Sequence, residues 1–364
     1  MSAPTLGPVV RTRPRTENRP AVTSTYNELL GRVRAEGLLE RRRGFYITVF
    51  VLLTVALAGA GVGFVLLGDS WFQLIIAAAL GLIFTQFAFL GHEASHRQVF
   101  ASGPSNDRAG RLIATWLVGM SYQWWMTKHT RHHANPNTVG KDPDIAFDTI
   151  SFTEEDAARQ RGLLAAITRR QGYLFFPLLL LEGVNLHITS VRSLLSRGPV
   201  ERRTSELVAI AVRLSVVVAI VFLMLPLGMA FAFLGVQLAV FGVYMGASFA
   251  PNHKGMPLLP AGSRVDFLNK QVLTSRNIRG GWSMSALMGG LNHQIEHHLF
   301  PSMARPHLRR ARILVREHCA THGIPYTETG LITSYRIVIQ YLNRVGLAAR
   351  DPFDCPAARE IRRA

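Results

Sequence analysis

The sequence predicts an all-α integral membrane fold, with four transmembrane helices in two hairpins and a cytoplasmic helical cap. Three observations carry this expectation. Four almost uncharged runs of about 20 residues are each long enough, at 1.5 Å per residue, to span roughly 30 Å of hydrocarbon. They lack the polar face that a soluble core helix shows at helical spacing. The runs also fall into two pairs, joined by Gly68-Asp69-Ser70 and by Pro226-Leu227-Gly228. Connectors that short permit only tight helical hairpins.

Taken in order, residues 1–43 form a basic, largely disordered cytoplasmic segment. Met1 to Val22 is rich in Pro, Arg and Thr and has no apolar core of signal-peptide length. The first hairpin comprises spans 45–67 and 71–90, and the second comprises 206–225 and 228–249. Arginines gather before the first hairpin (Arg32, Arg34, Arg41, Arg42, Arg43) and are missing from both connectors. The positive-inside rule then puts the N-terminus, the middle segment and the C-terminus on the cytoplasmic side. Tyr173 to Val191 is apolar but carries Glu182, Asn185 and His187. It reads as a helix lying in the interface or tucked against the bundle, since a fifth crossing would put the middle and C-terminal segments on opposite sides. Leu112 to Trp125 is too short to span. Residues 331–364 form a basic tail.

The formal charge of +17 could suit nucleic acid, but no nucleic-acid motif accompanies it. A basic face against anionic headgroups explains it more simply, and it would also suit a phosphate-bearing substrate. Cys319 and Cys355 form no disulfide framework and suggest a reducing compartment.

The histidines are grouped. His92 and His96 follow the second span, and His129, His132 and His133 lie in "KHTRHHANPN". His253 follows the fourth span, and His293, His297 and His298 lie in "LNHQIEHHLFP". Each hairpin is thus followed by metal-type ligands on the same side. Positions i, i+3 and i+4 share one helix face, so H-x-x-x-H and H-x-x-H-H helices each aim two or three imidazoles at one point. Read alone, "HEASH" fits the H-E-x-x-H signature of zinc proteases. Such a site takes three protein ligands and a water. Eight or more imidazoles with few carboxylates suit two metals instead, and imidazole is a good ligand for iron. His307, His318 and His322 read as ordinary surface or core residues.

At these motifs the chain resembles the membrane fatty acid desaturases, in the branch whose third histidine box begins with glutamine. "GHEASH" matches the first box, "HTRHHANPNTVGKDPD" the second, and "NHQIEHHLFPSMARPHLRRARILVREHCATHGIPY" the third. The resemblance covers roughly Tyr46 to Tyr326, within a desaturase domain of residues 44–330. The zinc-protease reading gives way here, because it leaves both H-x-x-H-H clusters unexplained.

The resemblance implies a di-iron centre ligated by His92, His96, His129, His132, His133, His253, His297 and His298. Gln294 stands where other branches place a ninth histidine, and His187 is a substitute for it. His293 is one position off the stripe and is left out. Glu93, Asp142, Asp144 and Glu296 are expected to orient imidazole N–H groups. The implied reaction uses O2 and removes two hydrogens from neighbouring carbons to leave a cis double bond. Its substrate is the acyl chain of an acyl-CoA or membrane lipid, held in an apolar tunnel. Trp124 and Trp125 either line that tunnel or anchor at the membrane interface. A hydroxylase with the same iron cage is the alternative. No HPGG haem motif is present, two cysteines are too few for an iron–sulfur cluster, and the glycine run at Ala58 to Phe64 lies inside a span. Electrons are therefore expected from a separate ferredoxin, cytochrome or flavoprotein reductase.

Overall fold

The computed structural model describes residues 22–349. The chain opens with α1 (Val22–Ala35), a helix inside the segment expected to be largely disordered. Its physical reason is a short apolar face: Leu29 and Val33, one turn apart, are both fully buried against a later helix. Met1 to Pro20, together with Ala21, lie outside the described residues.

Helices α2 (Arg43–Leu67) and α3 (Gln73–Ser95) correspond to the first expected pair. Gly68 ends α2 at φ 51°, a left-handed backbone that favours glycine. Along α2 the apolar side chains of Leu52, Val55 and Leu66 are more than half exposed. An outward-facing Leu/Val surface of this length is a lipid-facing one. Next come α4 (Gly103–Arg111), a π-helical turn at Leu112–Val118, and α5 (Tyr122–Ala134). Gly119, at φ 93°, separates that turn from α5, so Leu112 to Trp125 is two elements.

Short helices α6 (Glu154–Arg159) and α7 (Gly162–Thr168) lead to α8 (Gln171–Leu179) and α9 (Glu182–Leu195). The stretch read as one interfacial helix is this bent pair, angled by 76°. Pro177 lies within α8, and the i→i−3 bonds Leu180 N to Pro177 O and Leu181 N to Leu178 O tighten the break.

The second pair is α10 (Arg203–Met224) and α11 (Leu227–His253). Pro226 separates them, where a missing N–H suits a helix start. Four helices, α2, α3, α10 and α11, are thus long and apolar enough to cross a membrane. α3 and α11 run beyond the expected span ends, through His92 and His253 respectively, so they deliver ligand-type side chains on their last turns. These two helices pack along each other. α9 crosses α11 at a glycine pair: a Cβ at Gly183 would lie 2.2 Å from Leu238 O, and one at Gly242 would lie 2.3 Å from Gly183 N. Gly242→Val should therefore separate α9 from α11 and destabilise the protein by about 1–3 kcal/mol or more. Thermal unfolding in detergent measures this, and an unchanged unfolding temperature would refute the close crossing.

The C-terminal part folds over the ends of α3, α5 and α11. It contains α12 (Phe267–Leu273), α13 (Trp282–Leu287), α14 (Gln294–Leu299), α15 (Arg305–Thr321) and α16 (Leu331–Leu347). Two-residue strands β1 (Asn277–Ile278) and β2 (Glu328–Thr329) pair in parallel. The core of this layer is Leu29, Val33, Leu268, Val272, Ile295, Leu299, Leu308 and Val315. Residues 331–347, expected to be tail, form α16. Its Ser334, Val338, Leu342 and Val345 repeat at helical spacing and are buried.

Candidate metal centre

The first histidine box sits at the end of α3, with His92 on the last turn and His96 just beyond it. The second box occupies α5, whose start is anchored by a residue the motif reading passed over. Glu206, buried on α10, accepts from Ser121 Oγ and from Gln123 N, while Ser121 Oγ caps the helix by accepting from Trp124 N. A carboxylate at a helix N-terminus also opposes the macrodipole favourably. His253 ends α11. Arg276, buried and without a carboxylate partner among the described residues, donates to Pro251 O at 2.7 Å and Lys254 O at 2.6 Å. It thereby caps the C-terminal carbonyls of α11. The third box is α14.

Four elements, α3, α5, α11 and α14, bring eight imidazoles together in two groups. Ring nitrogens of His92, His96, His129, His133 and His297 lie within 4.8 Å of one another, and so do those of His132, His253 and His298. In the first group His129 Nε2 is 2.9 Å from His92 Nε2 and 2.8 Å from His96 Nε2. In the second, His132 Nε2 is 3.4 Å from His253 Nε2. His133 and His298 stack at 4.1 Å between ring centroids and join the groups.

The residues fit metal ions. Both ring nitrogens of His133, and Nε2 of His297 and of His298, are buried with no hydrogen-bond partner among the described residues. Opposite ligands of one ion stand about 4.2 Å apart for ordinary metal–imidazole bonds, a separation that falls within the 4.8 Å bound of each group. Burial pushes His96 down to about 3 and holds His129, His133, His297 and His298 well below the usual histidine range. Burial thus favours the neutral rings, whose lone pairs can serve as donors. His132 differs: burial would lower it, but Asp144 and Asp142 outweigh burial and raise it.

The four expected orienting acids divide. Asp142 accepts from His132 Nδ1 at 3.0 Å, leaving Nε2 for the centre. It also accepts from Asn137 N and Asp144 N, so it holds the loop after α5. Asp144 is paired with Lys128 at 3.0 Å and lies 3.4 Å from His132. Glu93 instead forms a buried bidentate pair with Arg305, both contacts 2.6 Å. Its position on α3 faces α15, so it holds no imidazole, nor is it free to act as a protease base. Glu296 accepts from Asn277 Nδ2 at 2.7 Å and Tyr326 OH at 2.8 Å, again with no imidazole. It projects off the ligand face of α14, and burial raises its carboxyl to about 7 against those two donors. Other partners orient the rings: His253 Nδ1 meets Thr274 O at 3.0 Å, and His298 Nδ1 meets Gln271 Oε1 at 2.9 Å.

Gln294 lies beside the three-imidazole group, with Nε2 2.9 Å from His253 Nε2 and Oε1 accepting from Asn252. His187 does not join either group. Its ring is held by Gly183 O at 2.7 Å and Val118 O at 3.3 Å, because α9 turns it toward α11 and the π-helical turn. Asp142→Asn should lower metal retention and activity by ~10–100-fold, the usual effect of losing an orienting partner. Dialysis against a chelator followed by metal analysis tests it, and full retention would show that Asp142 serves only the loop.

A cavity of about 530 Å³ opens onto both groups. His129, His132, His253 and Gln294 face it, and its apolar wall includes Trp125, Phe175, Leu179, Met245 and Phe249. Trp125 stacks on His129 at 4.6 Å, so of the two tryptophans this one lines the cavity while Trp124 is buried in the core. Lys128, Asp144 and Glu182 also line it.

The family model for fatty acid desaturases matches residues 69–330. Among related proteins, a Delta(8)-fatty-acid desaturase of Helianthus annuus is 26% identical, over 91% of this chain and 75% of its own length. The Delta(8)-fatty-acid desaturase 2 of Arabidopsis thaliana is 28% identical, over 91% of this chain and 76% of its own. A Delta(5) fatty acid desaturase of Caenorhabditis elegans, fat-4, is 29% identical over 90% and 75%.

Proposed function

The chain belongs to the fatty acid desaturase family and is an oxidoreductase of membranes; from this premise we propose that it introduces a cis double bond into an acyl chain at a centre of two irons. The observation that carries the proposal is an apolar cavity opening onto two groups of imidazoles. Its volume lies in the range of small-molecule sites.

His92, His96, His129, His133 and His297 would hold one iron, and His132, His253 and His298 the other, with Gln294 beside the second. Iron with O2 supplies abstraction of hydrogen from an unactivated methylene, which no side-chain base can achieve. The protein's own contribution is position and exclusion of water. Trp125, Phe249 and Met245 would confine the chain against the imidazoles, and the layer of α12, α14 and α15 closes over the centre. Asp142, Thr274 and Gln271 hold Nδ1 of His132, His253 and His298 and so leave Nε2 of those three rings for the centre. The acyl carrier is a membrane lipid or coenzyme A, and electrons come from a separate reductase protein. In the proposed topology the two hairpins place both termini and the centre on the cytoplasmic side, with α8 and α9 tucked against the bundle rather than crossing it. The absence of arginine from both hairpin connectors supports this.

Expression in a host of known lipid composition, followed by mapping of double bonds and of bound metal, tests the reading. New unsaturation at one chain position and about two irons per chain are expected. A hydroxylated product without a new double bond would replace desaturation by hydroxylation, and a single zinc without iron would end both readings.

A further inference from the structure

A second cluster of ligand-type side chains lies where α1 meets α15, apart from the histidine boxes. The two helices run antiparallel and meet in three polar contacts: Glu36 with Arg310 at 2.8 Å, Arg32 with Glu317 at 3.0 Å, and Glu28 with His318 and His322. The first two are ordinary exposed ion pairs. The third is different. His318 and His322 stand one turn apart on α15, with ring centroids 4.3 Å apart, and both offer nitrogens to the side on which Glu28 lies.

Glu28 Oε1 is 4.0 Å from His318 Nδ1 and Oε2 is 3.6 Å from His322 Nε2. Both distances are too long for hydrogen bonds. The 3.6 Å between Glu28 and His322 is close to the roughly 3.3 Å that separates neighbouring ligands around a tetrahedral ion with zinc-type bond lengths. Nε2 of His318 and Nε2 of His322 are buried and make no hydrogen bond among the described residues, a costly state for a polar atom. One donor atom from each of the three residues fits within 4.8 Å. His318 is also held by a backbone hydrogen bond with Thr25, the kind of outer contact that fixes a ligand ring.

We infer that Glu28, His318 and His322 form a mononuclear site for a divalent cation of zinc type, with water completing its coordination. Two imidazoles and a carboxylate are a zinc donor set. The ion fastens α1 onto α15. Tyr26 donates to Leu299 O at 3.1 Å, and Leu29 and Val33 pack with Ile295 and Leu299. The clamp therefore holds the cover of α14, the helix that carries His297 and His298. None of the eight box histidines contributes, so the site stands or falls independently of the di-iron reading.

The test uses full-length, iron-loaded protein in detergent, titrated with zinc ion. Zinc and iron are counted together by mass spectrometry after dialysis, and the unfolding temperature is followed. Wild type should take up one zinc per chain with its iron unchanged, and unfold at a higher temperature. Glu28→Gln and His322→Gln should each weaken zinc binding at least roughly tenfold, the loss that even an outer partner brings, and abolish the temperature rise. Glu28 is 58% exposed in its side chain, so its variant can fold without repacking. No zinc uptake, uptake only in exchange for iron, or equal uptake by the variants would overturn the site.

Discussion

Alanine at His298 is expected to eliminate double-bond formation, by more than about 100-fold, since even an outer partner of a metal ligand is worth ten- to hundredfold. His297→Ala should be equally inactive, yet the two variants should differ in metal content. His298 belongs to a group of three imidazoles, and His297 to a group of five. Removing one of three leaves two imidazoles and Gln294, whereas removing one of five leaves four. His298→Ala should therefore retain less iron than His297→Ala. His187→Ala should retain all of it, because its ring is engaged by Gly183 O and Val118 O. Equal iron in the three variants would contradict the division into two groups.

The largest effect on stability is expected at Glu93 and Arg305. Their bidentate pair is buried on both sides, with side chains 2% and 7% exposed. Arg305 also stacks over Phe45, and its backbone N–H donates to Tyr46 OH, so one residue joins α2, α3 and α15. Arg305→Met strands the Glu93 carboxylate and should cost about 3–5 kcal/mol; Glu93→Met should do the same to the guanidinium. The double variant should recover much of the loss, because two apolar side chains leave no uncompensated charge. Unfolding temperatures of the four proteins in one detergent decide this. Additive losses in the double variant would mean that the two residues act separately.

The long helices and the histidine spacing were legible in the sequence because both are local properties. An unbroken apolar run declares its own length, and ligands at i and i+4 declare a shared face. What stayed hidden depends on partners far along the chain. Glu206 reads as a stray charge at the start of an apolar run, and only folding brings it to the start of α5, 85 positions from Ser121. Glu93 and Glu296 lie next to ligands in sequence, but neighbouring positions on a helix point about 100° apart, so their partners are Arg305 and Asn277 instead. The apolar faces of α1 and α16 are narrow and set in basic segments, so composition concealed them. His318 and His322 carry the i, i+4 signal, yet their carboxylate is nearly 300 positions away.

The contact of α1 with α14 and α15 bears on how the molecule is made. α1 is made before the elements it packs on, and Leu299, the acceptor for Tyr26, lies 273 positions later. At about 5–20 residues per second the growing chain waits roughly 15–55 s for it. During that interval Leu29, Val33 and Leu38 have no protein partner, while all four long helices are being laid down. The third box waits longer still, because Tyr326, which holds Glu296 beside Asn277, emerges after it. Nascent chains therefore carry the first two boxes and an uncovered amphipathic helix until α14 and α15 arrive, and the centre is closed only after Tyr326 has been made.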